Sequence, residues 1–202
     1  MGNHGTAPAA QANPQVETLM AVPHPTGADP AVRDLVAGLL RDIPDFPKPG
    51  VLFKDFTPLL ANGPALQAIT DDVVRRYAGQ VDVVVGVEAR GFILGAAVAY
   101  ALGVGFVPVR KAGKLPGRTH QAEYTLEYGT ATLELHVDAF LEGERALIMD
   151  DVLATGGTAV ATCDLVERAG ATVTALEFVL DIGFLKGRDA LAGRQVHSLI
   201  TS

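Results

Sequence analysis

The chain has 202 residues, 49% hydrophobic and 19% charged, which suits one globular core of ordinary size. The 16 Lys and Arg against 23 Asp and Glu leave a formal charge of −7 with no basic run, arguing against nucleic acid or an anionic membrane as the main partner. One cysteine, Cys163, excludes a disulfide framework and fits a reducing compartment, and the 5 histidines lack metal-ligand spacing.

Residues 1–29 are rich in Ala, Pro, Gly and Asn, show no helix or strand period, and are expected to be a disordered tail. They lack the basic and apolar regions of a secretory signal, and Met20 within them is a candidate start of translation. No stretch reaches the ~18 apolar residues that span a bilayer, so the cytoplasm is the expected location.

Residues 30–202 read as a single domain. After Asp29-Pro30, the residues Val32, Leu35, Val36, Leu39 and Leu40 recur on one helical face. Pro44, Pro47 and Pro49 end that helix and lead into a short strand at Val51-Leu52-Phe53. A second helix is predicted over Pro64–Tyr77, an apolar strand over Val81–Val87, a small-residue helix over Phe92–Leu102, and a strand over Val104–Val109. Lys111–Glu123 is polar and too irregular for core. Tyr124–Tyr128 and Ala131–His136, parted by Gly129-Thr130, read as a β-hairpin. A strand at Arg145–Met149, a helix over Gly157–Ala169 that buries Cys163, and a strand at Val173–Leu180 follow; Gln195–Ile200 supplies an edge strand. Strands alternating with helices predict an α/β fold with an open, mainly parallel sheet flanked by helices.

The most informative stretch is Arg145–Thr158, RALIMDDVLATGGT. Its continuous apolar run is a strand buried on both faces, and ligands of open α/β sheets bind beyond the carboxyl ends of such strands. Asp150 and Asp151 stand at that edge. Ala154-Thr155-Gly156-Gly157-Thr158 then offers backbone N–H groups and two hydroxyls at the start of a helix, where the free amides and the dipole favour a phosphate. Neither GxGxxG after a strand nor GxxxxGK[ST] is present. Acids placed before the cradle point to a sugar phosphate whose hydroxyls meet the carboxylates. The bland alternative is a Gly-rich turn with two solvated aspartates.

Three further segments are candidates. Gly86–Gly91 puts Arg90 at the same sheet edge, and its planar fork suits a pyrophosphate; the alternative is a surface arginine paired with Glu88. Arg110-Lys111-Ala112-Gly113-Lys114-Leu115-Pro116-Gly117 sets three cations around a turn able to close over an anion, or is a solvated charged loop. Within Phe46–Asp55, Phe53 can stack on a flat base or pack in the core.

In this order and spacing, FPKPGVLFKD, GVEARGF, RKAGKLPG, YTLEYGTATLELH and DDVLATGGT resemble the type I phosphoribosyltransferases and, within them, the adenine phosphoribosyltransferase family, over about Val32 to Ile200. The resemblance implies a small N-terminal hood at about residues 30–60, a β-hairpin flexible loop, and a homodimer. It implies a pentosyl transfer in purine salvage: adenine and phosphoribosyl pyrophosphate (PRPP) give AMP and pyrophosphate, with Mg²⁺ held mainly by PRPP and by no protein ligand directly. Asp150, Asp151, Ala154, Thr155, Gly156, Gly157 and Thr158 would hold the ribose 5-phosphate. Glu88, Ala89, Arg90, Arg110, Lys111 and Lys114 would meet the pyrophosphate, with Arg110 reaching a neighbouring subunit. Leu52, Phe53 and Lys54 would form the adenine pocket, and Glu127 and Tyr128 the flexible loop. Glu127, Arg90, Asp150 and Asp151 are the implied catalytic set, with Glu127 as the proton carrier. Where many relatives have Asp-Ser before the arginine, this chain has Glu88-Ala89. Two other readings stay open: a transferase for hypoxanthine, guanine or xanthine, and a non-catalytic PRPP-sensing regulator, which would need an output surface.

Overall fold

The computed structural model describes residues 27–125 and 130–202. Most of the expected tail, and the tip of the expected flexible loop, lie outside them.

Asp29 caps α1 (Pro30–Leu39), its carboxylate accepting the Ala31 N–H, and Val32 and Val36 supply the buried stripe. The strand expected at Val51-Leu52-Phe53 forms as β2 (Leu52–Asp55), and it has an antiparallel partner that the sequence did not suggest, β1 (Arg41–Pro44). Four residues ending in proline carry little periodicity. What makes them a strand is cross-strand pairing: Arg41 meets Asp55 at 2.5 Å and Lys54 meets Asp42 at 2.6 Å. The connection turns where Gly50 takes φ +85° and its N–H donates to Asp45 Oδ1 at 2.7 Å. A single turn, α2 (Thr57–Leu60), leads to α3 (Gly63–Tyr77), capped by Asn62.

The main sheet has seven strands in the order β5-β6-β4-β3-β7-β8-β9. These are β3 (Val83–Val87), β4 (Gly105–Lys111), β5 (Thr119–Thr125), β6 (Thr130–His136), β7 (Arg145–Leu153), β8 (Thr172–Asp181) and β9 (Val196–Thr201). Strands β4, β3, β7, β8 and β9 are mutually parallel, and the β5–β6 hairpin adds antiparallel to β4. Helix α4 (Arg90–Leu102) crosses from β3 to β4, and α5 (Gly157–Arg168) from β7 to β8. One apolar core joins the sheet to α1, α3 and α4; a second joins its other face to α5 and the hairpin, with Cys163 inside it. The open, mainly parallel α/β sheet is as expected.

Two strands run further than the sequence pattern indicates. β5 begins at Thr119, inside the stretch expected to be irregular. Its residues alternate, with Gln121 and Glu123 exposed and Ala122 buried against the core, so a period of two was present under a polar composition. β7 does not stop at Met149 but carries both aspartates to Leu153, because the long β8 continues to pair with it, Asp150 opposite Phe178 and Leu153 opposite Asp181. On its other side the pairing with β3 ends at Gly86 opposite Met149. The acid pair is therefore held on one side and open on the other.

Candidate active site

That open side is where the Glu88–Gly91 segment leaves β3. Gly91 allows the approach: a Cβ there would stand 2.6 Å from the Met149 carbonyl and 3.1 Å from Asp150 Oδ1. The start of α4 thus lies directly against the acids. Arg90 makes an ion pair with Asp151 through Nε and Oδ2, and the Asp151 N–H donates to Asp150 Oδ1 at 2.9 Å. Asp151 is buried and Asp150 partly so. Burial, then the neighbouring Asp151 carboxylate, pushes the Asp150 carboxyl well above its usual range, against the pull of Arg90.

Beyond Leu153, the five residues 154–158 turn into α5. Gly156 caps that helix with φ +87°, without a side-chain hydrogen bond, leaving the first-turn amides to an outside acceptor. A cavity of about 60 Å³ sits here, lined by Asp150, the 154–158 loop and Phe178. A wider groove of about 510 Å³ runs between α1, Lys54 and the C-terminal strand, away from the acid pair. The small cavity matches the chemistry better, since it joins Asp150 to the loop and amides that open α5.

The loop is braced from behind by a segment that the sequence did not flag. A Cβ on Gly187 would collide with the Ala154 carbonyl, and one on Gly156 would stand 2.6 Å from the Gly187 carbonyl. Arg188 pins this segment to the sheet, donating to Asp181 Oδ2 at 2.5 Å, the Val196 carbonyl at 2.9 Å and Ser198 Oγ at 2.7 Å. The signal was Leu185-Lys186-Gly187-Arg188, a glycine beside a cation, too short to read alone.

The basic segment is tied down rather than loose. Glu88 turns away from the acid pair: its Oε2 accepts from Arg110 Nε at 3.3 Å and from the Lys111 N–H at 3.2 Å. Burial would raise its carboxyl, but the Lys111 amide and Arg110 outweigh it and hold the group below its ordinary range. The alternative partner expected for Arg90 therefore belongs to Arg110 instead. Arg110, implied to reach a neighbouring subunit, here bonds within its own chain to Glu88 and, through Nη1, to the Lys114 carbonyl at 3.2 Å. Ala89 precedes α4 through a cis Glu88–Ala89 peptide.

The hood reaches the same edge through Phe53. Strand alternation sends Phe53 to one face and Leu52 and Lys54 to the other. The Arg90 guanidinium lies 5.8 Å from the Phe53 ring centroid and 5.4 Å from that of Phe56. Phe53 also meets Phe46 edge-on at 5.1 Å. Leu52 is 55% exposed, so it is no core residue, and the Lys54 ammonium is engaged by Asp42. Glu127 and Tyr128 lie outside the described residues. Of the residues singled out in the sequence, Asp150, Asp151, Arg90, Phe53 and the 154–158 loop are brought together; Glu88 and Arg110 serve the basic segment beside them.

An acid pair near the carboxyl end of a parallel strand, followed by an amide-lined loop and a helix start, is an arrangement suited to a sugar phosphate, as in the sugar-phosphate transferases. The model of the phosphoribosyl transferase domain matches residues 59–181, from α2 to the end of β8. An adenine phosphoribosyltransferase of Salinispora arenicola is 59% identical over 172 residues, covering 85% of this chain and 92% of that protein. The crystal structure of adenine phosphoribosyltransferase from Thermoanaerobacter pseudethanolicus superposes with a TM-score of 0.81 at 48% identity, over 84% of this chain and 99% of that one. That of the Saccharomyces cerevisiae enzyme, complexed with adenine and an imino-altritol bisphosphate, gives 0.80 at 39% identity, over 84% and 99%. The chain belongs to the adenine phosphoribosyltransferase family.

Proposed function

We infer that the chain transfers a 5-phosphoribosyl group from PRPP to adenine, giving AMP and pyrophosphate. The observation that carries this reading is the Asp150–Asp151 shelf continuous with the 154–158 cradle, with Arg90 joining that shelf to Phe53. The two carboxyls take the ribose 2′- and 3′-hydroxyls. The 154–158 amides and hydroxyls hold the 5′-phosphate. Arg90, Lys111 and Lys114 stabilise negative charge on the departing pyrophosphate, while the shelf faces the positive charge that develops on ribose. Phe53 stacks on adenine, with backbone groups of Leu52 and Lys54 reading its edge. Holding both substrates in line contributes about 7–11 kcal/mol of barrier lowering in favourable cases, so positioning is a large share of the catalysis.

Mg²⁺ is proposed as a companion of PRPP, where it would neutralise the pyrophosphate; among the described residues no group of three or more His, Cys, Asp or Glu could hold a metal, and of the acid pair Asp151 is engaged by Arg90. Glu127 is proposed to take the proton from adenine, which Glu127→Gln tests: turnover unchanged across pH removes it from the mechanism. We further propose a homodimer, supported by the exposed Ile93 and Tyr100 on α4, and a cytoplasmic location, supported by a lone buried thiol and by the absence, among the described residues, of a helix long and apolar enough to cross a membrane.

The deciding experiment is an assay of adenine, hypoxanthine and guanine separately with PRPP and Mg²⁺, repeated with EDTA. AMP formation from adenine alone, lost with EDTA, is expected. Turnover of a 6-oxo base in its place would move the specificity to the second reading.

A further inference from the structure

We propose that Glu134 is a positioning residue, filling the amide nest of the basic segment so that Lys111 and Lys114 are presented to the pyrophosphate; this rests on the pyrophosphate reading above. Glu134 sits on β6 opposite Arg110, is 2% exposed, and falls within YTLEYGTATLELH at a position to which the sequence reading gave no role. Its Oε1 accepts the N–H groups of Lys114 and Leu115, both at 2.7 Å. Burial would raise its carboxyl, but the amides of residues 113–115 and the Gln121 side chain overcome this and keep it ionised.

Successive amides curled around one point form an anion nest of the kind that otherwise binds phosphate. Here the protein's own carboxylate occupies it. The rest of the segment is fixed consistently: the Lys111 N–H goes to Glu88, the Ala112 N–H to the Thr132 carbonyl at 2.9 Å, the Lys114 carbonyl to Arg110, and the Pro116 carbonyl to His136 Nε2 at 2.7 Å. With its backbone polar groups consumed inwardly, the segment has its two lysine ammoniums to offer a substrate. Removing the Glu134 carboxylate would free the nest to compete for that same anion in the wrong place.

The test uses full-length Glu134→Ala, Glu134→Gln and Glu134→Asp beside a Lys111→Ala/Lys114→Ala double variant, with KM for PRPP and for adenine and the Kd of pyrophosphate and of AMP. Glu134→Ala is expected to raise the PRPP KM and the pyrophosphate Kd by about tenfold, the worth of one charge-assisted contact, and to leave adenine and AMP binding unchanged. Both bonds land on one oxygen, so Glu134→Gln keeps the acceptor and should retain most of the affinity. Should Glu134→Ala fail to fold, Glu134→Asp, one methylene too short to reach, is expected to show the same rise. Unchanged PRPP and pyrophosphate binding in Glu134→Ala or Glu134→Asp, whatever the thermal stability, overturns the inference. If the lysine double variant also binds PRPP normally, it is the pyrophosphate reading itself that fails.

Discussion

On the α3 face of the sheet, Arg76 lies between Asp72 and Glu177; at the sheet's carboxyl edge, Arg90 meets Asp151 beside Asp150. Each cluster sets two carboxylates beside an arginine, yet Arg76 bonds both of its acids and Arg90 only Asp151. Around Arg76 the acids are supplied from all sides: Glu177 by Arg76 at 2.6 Å and the Tyr77 hydroxyl at 3.1 Å, Asp72 by Arg76, by Arg75 at 2.6 Å and by the Asp29 N–H at 3.1 Å. Around Arg90, Asp151 Oδ2 is a buried oxygen with an ion pair but no hydrogen bond, and Asp150 receives a neighbouring amide. Around Arg76 every carboxylate oxygen has a donor and the unpartnered buried atom is Arg76 Nε, which suits a network that fixes a fold, whereas a buried carboxylate oxygen held by an ion pair alone at a sheet edge can still meet a ligand's hydroxyl. The electrostatics agree. Burial raises both carboxyls; for Glu177 the pull of Arg76 and the Tyr77 hydroxyl comes next, with Asp72 opposing it, whereas for Asp150 the push of Asp151 comes next and Arg90 opposes it least.

The contrast can be broken most forcefully at the edge. Asp150→Asn with Asp151→Asn should lower kcat/KM on the order of 10²–10³-fold, the scale of losing preorganised electrostatic contacts, with circular dichroism and the unfolding midpoint retained. Near-normal turnover would erase the distinction between the clusters. Glu177→Gln should do the reverse, leaving kinetics alone and changing the pH dependence of stability. The Glu177 carboxyl is raised from 4.5 to about 7 in the fold. Below about pH 4.5 it is neutral in both states; as pH rises to 7 the unfolded chain releases the proton first, so wild-type stability relative to Glu177→Gln should fall, on the order of 3 kcal/mol in all. Urea unfolding at pH 4.5, 5.5 and 7 measures this, and a flat difference would mean that the network fully compensates the charge. Phe53→Ala sharpens the comparison from the base side, since Phe53 carries Arg90 over its ring. It should weaken adenine by about 1–3 kcal/mol and leave the PRPP KM alone. A rise in both KM values would show that the ring chiefly holds the arginine.

The sheet, its helices and the acid–loop signature were legible because they rest on local pattern: the Val-rich β3, the apolar run before Asp150, and Gly156 at a helix start. Long-range pairing was not legible. β1 exists because Arg41 and Lys54 find Asp55 and Asp42 across the hood, and β7 lengthens because β8 does. Arg90 was placed at the same edge as Asp150 with a pyrophosphate in view, and the alternative, a surface pairing with Glu88, does not form, because the fold assigns Glu88 to Arg110 and Lys111. Glu134 was invisible for a different reason. A glutamate alternating with leucines in LELH reads as the polar side of a strand, and its burial comes from a segment of the chain folding over it.

Gly187 shows how far the support of the proposed phosphate cradle extends beyond the 154–158 loop itself. Its missing side chain lets the backbone after β8 nest into the carbonyl of Ala154 while Gly156 nests back into it. One methyl group added at position 187 would press the cradle forward from its unseen side. A substitution there, on the side of the loop away from the acid pair, is expected to distort the cradle and weaken the phosphate binding proposed for it.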